Sequence, residues 1–279
     1  MKIEKPSKLK TTLTHGILLT GGLLFLFPFL WMLSTSLKRP GDVMLYPPKW
    51  IPPVIEWNNF IEVWRIMPFA LFLKNTVIVT AFSVFGEVAT ASMVAFAFAR
   101  LRFRRRKILF SILMATMMLP IHVTMIPRFI IFNSLGMVDT LYPLIVPSFF
   151  GGTAFFIFLL RQFFASIPTE LDEAARIDGC STFGIFFRII LPLSKPALAT
   201  VAVFAFVGSW NDFINPIIYL NSIDNQTLAV GLQSFQGQYR TDLHWLMAGS
   251  AISLIPIIIV FAFVQRYFVQ AIALTGMKN

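Results

Sequence analysis

The chain has 279 residues, of which 57% are hydrophobic and 13% charged, whereas about 25% of the residues of a soluble domain are charged. This composition excludes a water-soluble protein, and the length favours one helical domain without a separate soluble catalytic module. The formal net charge of +10 does not indicate a nucleic-acid partner, because much of the excess lies in short segments between long apolar stretches. Cys180 is the single cysteine and the three histidines are scattered, so we expect no disulfide within the chain and no metal site.

Six apolar stretches are long enough to cross a bilayer, which takes about 20 residues in a helix. They cover residues 16–37, 75–99, 108–127, 140–160, 196–220 and 246–265. We therefore predict an all-α polytopic membrane protein with about six transmembrane helices. A single membrane domain is predicted over residues 16–270, between tails of residues 1–15 and 271–279. The first stretch follows four lysines, but it is too long for a secretion signal and lacks a small-residue cleavage pattern, so it is predicted to be a retained span.

Lysine and arginine are concentrated in alternate connections between these stretches. The amino-terminal tail has four lysines, residues 100–107 have six cations and residues 161–195 have four. By the positive-inside rule, both termini are predicted to be cytoplasmic. The two long loops of the opposite side, residues 38–74 and 221–245, are either docking surfaces for an outside partner or plain connections.

Residues 166–195 form a long segment of mixed polar and apolar character on the predicted inner side. Thr169 and Asp172 have the spacing of a capping box, so a short helix is predicted to begin there. Gly179 is suited to end that helix in the left-handed conformation. Ser181 is predicted to cap a second short helix through Ile190, which the following proline would end.

One side of the first short helix carries Leu171, Ala174 and Ala175, at spacings of three and four residues. The small side chains would let the surface of another protein approach the helix backbone closely. Glu173 lies on a neighbouring face, where its charge could bond to such a partner. The alternative is an amphipathic helix that rests at the membrane interface.

The spacing of seven residues in this segment resembles the EAA loop of permease subunits of ABC-type importers. The matching residues are Glu173, Ala174, Ala175, Gly179, Ile189, Leu191 and Pro192. Elsewhere the stretches LPIHVTMIPRFIIFNSLGMVDT, SWNDFINPIIYL and RYFVQAIALTGMKN look like the maltose-type carbohydrate permease family. The sequence departs from the family at Cys180, where an alanine commonly follows the glycine of the loop.

The resemblance implies a permease subunit that helps to move a sugar or oligosaccharide across the bacterial cytoplasmic membrane. Its expected partners are a second homologous permease, two ATP-binding subunits, an extracytoplasmic solute-binding protein and membrane lipid. The sequence has no GxxxxGK(S/T) phosphate loop. We therefore expect a chain that is not an enzyme and binds no cofactor, with ATP and magnesium used by the partner ATPases.

The resemblance also implies functional residues. Contact with the ATPase is expected from Leu171, Glu173, Ala174, Ala175, Asp178 and Gly179, and a Gly179→Asp substitution is expected to clash in the turn and to uncouple hydrolysis from uptake. The carboxy-terminal residues Gln270, Thr275 and Gly276 resemble a tail that reaches between the ATPase subunits, with a frayed terminus as the alternative.

Two charges lie inside predicted spans, Glu87 and Asp212. A charge at mid-membrane costs roughly 2.5 to 3.5 kcal/mol, so both are expected to face protein or a wet cavity. Asp212 is close in sequence to Trp210, Asn211 and Asn215, which together could contact sugar hydroxyls. Polar packing between helices is the alternative role.

Three other functions compete with this interpretation. An importer for a non-sugar solute would share the EAA loop. A secondary transporter would use Glu87 and Asp212 as ion or proton sites and would work without an ATPase. A membrane enzyme is disfavoured, since the spans offer no close group of His, Cys and Ser for chemistry.

Overall fold

The computed structural model describes residues 8–237 and 242–276, with side chains for residues 10–237 and 242–265. The described part of the chain is built from α-helices joined by turns and loops, with 3-10 turns at Pro40–Asp42, Val146–Phe149 and Ile223–Asn225. The helices are α1 Lys8–Ser36, α2 Asn58–Ile66, α3 Phe69–Arg100, α4 Arg106–Thr116, α5 Ile121–Ser134, α6 Tyr142–Ile145, α7 Ala154–Ser166, α8 Glu170–Ile177, α9 Thr182–Ile185, α10 Leu191–Leu193, α11 Lys195–Trp210, α12 Ile214–Tyr219, α13 Leu228–Gln233 and α14 Leu243–Gly276.

Four helical segments are long and apolar enough to cross a membrane: Lys10–Ser36, Phe69–Arg100, Tyr142–Ser166 and Leu243–Gln265. Two further pairs of helices pass the same test together but are sharply bent. Arg106–Thr116 and Ile121–Ser134 meet at 97°, and Thr182–Leu193 and Lys195–Trp210 meet at 79°. Counting each bent pair as one span gives six, which agrees with the predicted all-α membrane fold.

The third and fifth predicted spans are not straight helices. The stretch 108–127 is interrupted after Thr116 and resumes at Ile121, because Pro120 disfavours helical geometry in the residue before it. The stretch 196–220 stops at Trp210 and resumes at Ile214. Asp212 therefore lies in a break between two helices and not within a helix.

The chain divides into two compact units, and the first comprises residues 1–69 and 232–255. In this unit α2 is tied to the end of α1, because the Asn59 side-chain amide donates to the carbonyls of Ser36 and Lys38 at 2.8 and 2.9 Å. Trp50 packs edge-on against Trp31, with ring centroids 4.9 Å apart. The predicted outer loop after α1 is thus folded back onto that helix.

The second unit comprises residues 70–231 and 256–279. Its core joins α3, α7 and α11 to the short helices of the segment 166–195. The buried members of this core are Ala91, Ala95, Phe96, Ile157, Leu160, Phe164, Ile167, Ala175, Ile185, Phe186, Ile190, Ala197 and Val201. The short helices are therefore packed into the bundle through their own apolar residues.

At the other end of α3, within the second unit, two distant loops are held together by Asp139. Its carboxylate accepts hydrogen bonds from the backbone N–H groups of Asn221 and Ser222 at 2.9 and 2.8 Å, and from the Ser222 hydroxyl. These donors, led by the Ser222 hydroxyl, lower the pKa of Asp139 to about 2. Asn75, near the start of α3, donates to the carbonyl of Asp224 at 2.8 Å.

Candidate functional site

The first short helix of the segment 166–195, α8, ends in a Schellman motif. Gly179 has φ +79°, its N–H donates to the carbonyl of Arg176 at 3.0 Å, and the N–H of Cys180 donates to the carbonyl of Ala175 at 2.8 Å. This is the pair of hydrogen bonds that defines the motif. The predicted left-handed role of Gly179 is confirmed.

A Cβ atom added at Gly179 would meet no other atom of the described residues within 4 Å, its two chain neighbours aside. The expectation that Gly179→Asp clashes in the turn is therefore wrong as a statement about this chain. The penalty for a substitution comes from the positive φ, which costs a residue with a Cβ roughly 1–2 kcal/mol.

The beginnings of the two short helices differ from each other. Ser181 caps the second helix by accepting the Gly184 N–H at 3.2 Å, as predicted. The capping box predicted for α8 is absent, since Thr169 makes no side-chain capping bond within the described residues. Asp172 is directed to another partner, Arg100, and is not available for the cap.

The second short helix extends further than predicted. It runs from Thr182 to Leu193 with a π-turn at Phe186–Ile190, and ends where Ser194 leads into α11. Pro192 lies inside it and does not end it. The wider π-turn precedes the proline, whose ring would otherwise clash with the carbonyl four residues earlier.

The exposed face of α8 is only partly the one predicted from the sequence. Leu171 and Ala174 are exposed, but Ala175 is 8% exposed and packs in the core beside Cys180. Asp172 is buried next to it, because residues three apart share one face of a helix. Ala175 therefore cannot contact another protein directly in this structure.

Exposed apolar side chains accompany Glu173 on this segment. Leu171 is 41%, Ile177 86% and Phe183 74% exposed, while Glu173, Asp178 and Gly179 are exposed as well. The sequence analysis missed Ile177 and Phe183, although their position beside the EAA residues was a usable signal. Apolar residues around a few charges are typical of the centre of a protein–protein interface.

A buried ion pair fixes α8 to the end of α3. Arg100 Nη1 lies 3.5 Å from Asp172 Oδ2, with the two side chains only 4% and 10% exposed. Arg100 Nη2 also donates to the carbonyl of Ile167 at 2.6 Å. In the described part of the chain, Asp172 Oδ1 and Arg100 Nε have no hydrogen-bond partner. From the sequence, Arg100 was used only as one of the cations that indicate the membrane orientation, so its contact with Asp172 was not predicted.

Glu173 and its neighbours line an open cavity of about 590 Å³ at the same place. Its charged walls come from α8 and from the stretch between the last residue of α3 and the first residue of α4, namely Arg100, Arg102, Arg106, Asp172, Glu173 and Arg176. Both signs of charge are present, which suits contact with a partner surface that carries both.

A second, polar cavity of about 310 Å³ lies within the helices of the second unit. Among its lining residues are Glu87, Asp212 and Asn215, three of the five residues predicted for a substrate pathway. Arg128 also lines it, and the sequence analysis missed this residue because it follows directly after a predicted span. The cavity therefore collects two carboxylates and one guanidinium.

Glu87 acts as a cap for α7. Its Oε2 accepts the Thr153 backbone N–H at 2.7 Å and its Oε1 accepts the Thr153 hydroxyl at 3.0 Å. Thr153 is the residue that precedes α7, so a carboxylate at this place also meets the positive end of the helix dipole. Gly152, with φ +71°, leaves room for Glu87 and Ala91 that a side chain would take.

The carboxylate of Asp212 is engaged in hydrogen bonds with Asn215, at the start of α12. Its Oδ1 accepts the Asn215 N–H at 3.2 Å and its Oδ2 accepts the Asn215 side-chain amide at 2.7 Å. Trp210 is buried and stacks on Phe206 at 5.4 Å, and Asn211 donates to the Val207 carbonyl at 3.0 Å. Neither Trp210 nor Asn211 is among the residues that line the cavity.

The predicted tail residues Gln270, Thr275 and Gly276 belong to the end of α14 as far as the backbone is concerned. Their side chains lie outside the described residues, as do residues 277–279 altogether. The predicted contact of this tail with ATPase subunits therefore stays a prediction.

Comparison with known proteins places most of the chain in one protein family. Residues 87–274 match the model of the binding-protein-dependent transport system inner membrane component. The chain is 34% identical to the arabinooligosaccharides transport system permease protein of Halalkalibacterium halodurans, over 98% of this chain and 100% of that protein. It is also 34% identical to the melibiose/raffinose/stachyose import permease protein of Bacillus subtilis, over 90% and 91% of the two chains.

A solved structure has a similar fold. One chain of a bacterial ABC transporter involved in the import of the acidic polysaccharide alginate matches with a TM-score of 0.80 and 26% identity. The match covers 96% of this chain and 100% of that one.

Proposed function

Because the chain belongs to the family of binding-protein-dependent transport system inner membrane components, we propose that it is a permease subunit of an ATP-driven sugar importer. The cargo is a sugar or oligosaccharide, as the names of the relatives that transport arabinooligosaccharides and melibiose, raffinose or stachyose suggest. The importer works in the bacterial cytoplasmic membrane. The other members of the assembly are a second homologous permease, two ATP-binding subunits that use ATP and magnesium, and an extracytoplasmic solute-binding protein.

The single observation that carries the coupling role is the exposed end of α8. Glu173 and the apolar side chains of Leu171, Ile177 and Phe183 are exposed on a segment whose other side is built into the core of the second unit. An ATPase subunit binds this surface, with Ala174, Asp178 and Gly179 in the contact. Ala175 acts indirectly, because it packs α8 onto the bundle.

Force applied to α8 passes into the membrane helices through rigid contacts. The Arg100–Asp172 pair joins α8 to α3, and the buried Ile185 and Ile190 join the second short helix to the same core. Closure of the ATPase pair would therefore move α3, α7 and α11 with the loop. Both termini and the segment 166–195 are cytoplasmic in this proposal, in line with the distribution of lysine and arginine.

The polar cavity is proposed as part of the substrate pathway, with Glu87 and Asp212 in structural roles. Both carboxylates are engaged by hydrogen bonds to helix termini, which supports capping over ion transport. Asn215 and Arg128 are the lining groups that could face a sugar hydroxyl.

The proposal is tested with the importer reconstituted in proteoliposomes together with its partner subunits. Glu173→Ala should lower ATP-driven oligosaccharide uptake at least about tenfold, since loss of a buried charged contact at an interface costs roughly 2 kcal/mol or more. Glu170→Ala is the matched control, because Glu170 is an exposed acid in the first turn of the same helix. Equal uptake by both variants would contradict the coupling role.

The same vesicles separate the importer from an ion-coupled transporter. Uptake should require ATP inside and the binding protein outside, and should be unaffected by collapse of the ion gradients. Uptake by this chain alone, driven by a gradient, would overturn the proposed function.

A further inference from the structure

A third cavity lies beside the start of α4, in the second unit. Its volume is about 810 Å³, and it is lined by Arg102, Phe103, Arg105, Arg106, Lys107, Ile108, Phe110, Ser111 and Arg161. Five of these nine residues are cations and none is an acid. It shares Arg102 and Arg106 with the cavity beside Glu173, but none of its residues is among those proposed for the ATPase contact or the substrate pathway.

Within the described residues, no carboxylate lies within ion-pair distance of the cations of this cavity, and the acids Asp172 and Glu173 line the cavity that shares Arg102 and Arg106. Arg106 donates to the Leu101 carbonyl at 3.1 Å and Arg161 to the Phe98 carbonyl at 3.4 Å, so these two guanidinium groups are held in place by neutral acceptors. Clustered like charges repel each other, and an anion in the cavity would relieve that repulsion.

The cavity also has an apolar wall. The Arg161 guanidinium lies over the Phe110 ring at 4.2 Å, and Phe98 packs against both Phe103 and Phe110 at 5.8 and 5.4 Å. Along α4 the side chains of Ile108, Leu109 and Ile112 are exposed by about half. A free phosphate would leave this wall uncovered, whereas the ester and acyl parts of a lipid would cover it.

The shape of the site depends on the tertiary structure. Arg161 comes from α7, Arg102 and Arg105 come from the segment that joins α3 to α4, and Arg106 and Lys107 are the first two residues of α4. Arg105 adopts φ +66°, a conformation that is uncommon for a residue with a side chain. Arg104, in the same segment, is exposed but does not line the cavity. A role in membrane orientation alone would need the charges but not this arrangement.

We propose that this cavity binds the headgroup of an anionic phospholipid, with the phosphate against the cations and the acyl chains along the exposed apolar face of α4. Basic pockets at the polar ends of transmembrane helices are suited to such headgroups. The assignment to the inner leaflet rests on the proposed cytoplasmic side of residues 100–107; the binding itself does not.

The test measures binding of spin-labelled phosphatidylglycerol to the assembled importer in phosphatidylcholine nanodiscs, from the motionally restricted fraction of the spin label. Lys107→Gln and Arg105→Gln should each weaken binding about fivefold, the effect of one cation near an anionic surface. Lys107→Arg should retain binding, and Arg104→Gln is the matched control that should change it little. If Arg104→Gln weakens binding as much as Lys107→Gln, the segment acts as a diffuse charge and the proposal is wrong.

Two further measurements decide between other ligands. Glycerol phosphate or inorganic phosphate at millimolar concentration should not displace the labelled lipid; displacement would make this a site for soluble anions and overturn the proposal. If Lys107→Gln and Arg105→Gln leave lipid binding intact but release the ATPase subunits, the cavity is a protein interface instead. If Lys107→Gln assembles poorly, the comparison of Arg105→Gln with Lys107→Arg still tests the proposal. Binding should then be lost in Arg105→Gln and retained in Lys107→Arg.

Discussion

Gly179 is the residue at which backbone geometry has the clearest functional consequence. Its positive φ closes the Schellman motif that ends α8, and the space around it is open. The absence of neighbouring atoms within this chain means that close approach by a partner remains possible there. A larger residue would therefore act in two ways, through backbone strain in the chain and through its bulk at the interface.

Gly179→Ala should destabilise the permease by about 1 kcal/mol, because the left-handed conformation is unfavourable for alanine. Gly179→Asn should cost less, since asparagine tolerates this conformation. Thermal unfolding of the purified permease in detergent measures both. Equal destabilisation by the two variants would show that the backbone conformation is not the cause.

The capping role of Glu87 leads to a second prediction at the same scale. Glu87→Ala removes both acceptors of Thr153 and should cost about 1 kcal/mol, as the loss of a helix cap usually does. Glu87→Gln keeps one acceptor oxygen and should cost less while ATP-driven uptake persists. A loss of uptake in Glu87→Gln with unchanged thermal stability would instead indicate an ion or proton site.

The connection between α3 and α8 belongs to the scale of secondary-structure elements. Arg100 is the last residue of α3, and Asp172 lies in the first turn of α8. Their side chains are buried, so neither charge can be compensated by water if the other is removed. This makes the pair a positioning contact for the segment 166–195, which is proposed to bind the ATPase.

Arg100→Met and Asp172→Leu should each destabilise the permease by about 3 kcal/mol or more, because each leaves an uncompensated buried charge. The double variant should be clearly more stable than the less stable of the two single variants. A double-mutant cycle of unfolding free energies measures this coupling. Simple additivity of the two effects would show that the pair does not interact.

At the scale of the whole molecule, contacts between residues far apart in sequence decide which segments move together. At one end of α3 the segment 166–195 is packed against α7 and α11. At the other end, Asp139 and Asn75 hold the loop 221–226. The loop 221–245, predicted to be either an outer docking surface or a plain connection, is therefore fixed to the bundle at its beginning.

The low pKa of Asp139 predicts how this contact depends on pH. A carboxyl with a lowered pKa stabilises the folded form above its unfolded pKa of about 4, and this stabilisation is lost as the pH falls through about 2. Hydrogen exchange at the amides of Asn221 and Ser222, corrected for the intrinsic rate, should show loss of protection over this range. In Asp139→Asn the protection should be weaker at neutral pH and independent of pH between about 4 and 2.

The sequence by itself determined the fold class, the approximate spans and the turn at Gly179. These depend on local properties: apolar length sets a membrane span, and a left-handed position selects glycine. The same local reasoning identified Ser181 as a cap. The EAA loop was identified through its resemblance to a known family, and the family match agrees with the function that this resemblance implied.

Only the tertiary structure decided which side of α8 is buried and what each in-membrane charge contacts. The partner of Asp172 is 72 positions away at Arg100, and the partner of Glu87 is Thr153. The break at Asp212 and the burial of Ala175 were equally invisible in the local pattern. Contacts of this kind depend on how helices pack together, because hydropathy and spacing specify an apolar face but not the neighbour against which that face is packed.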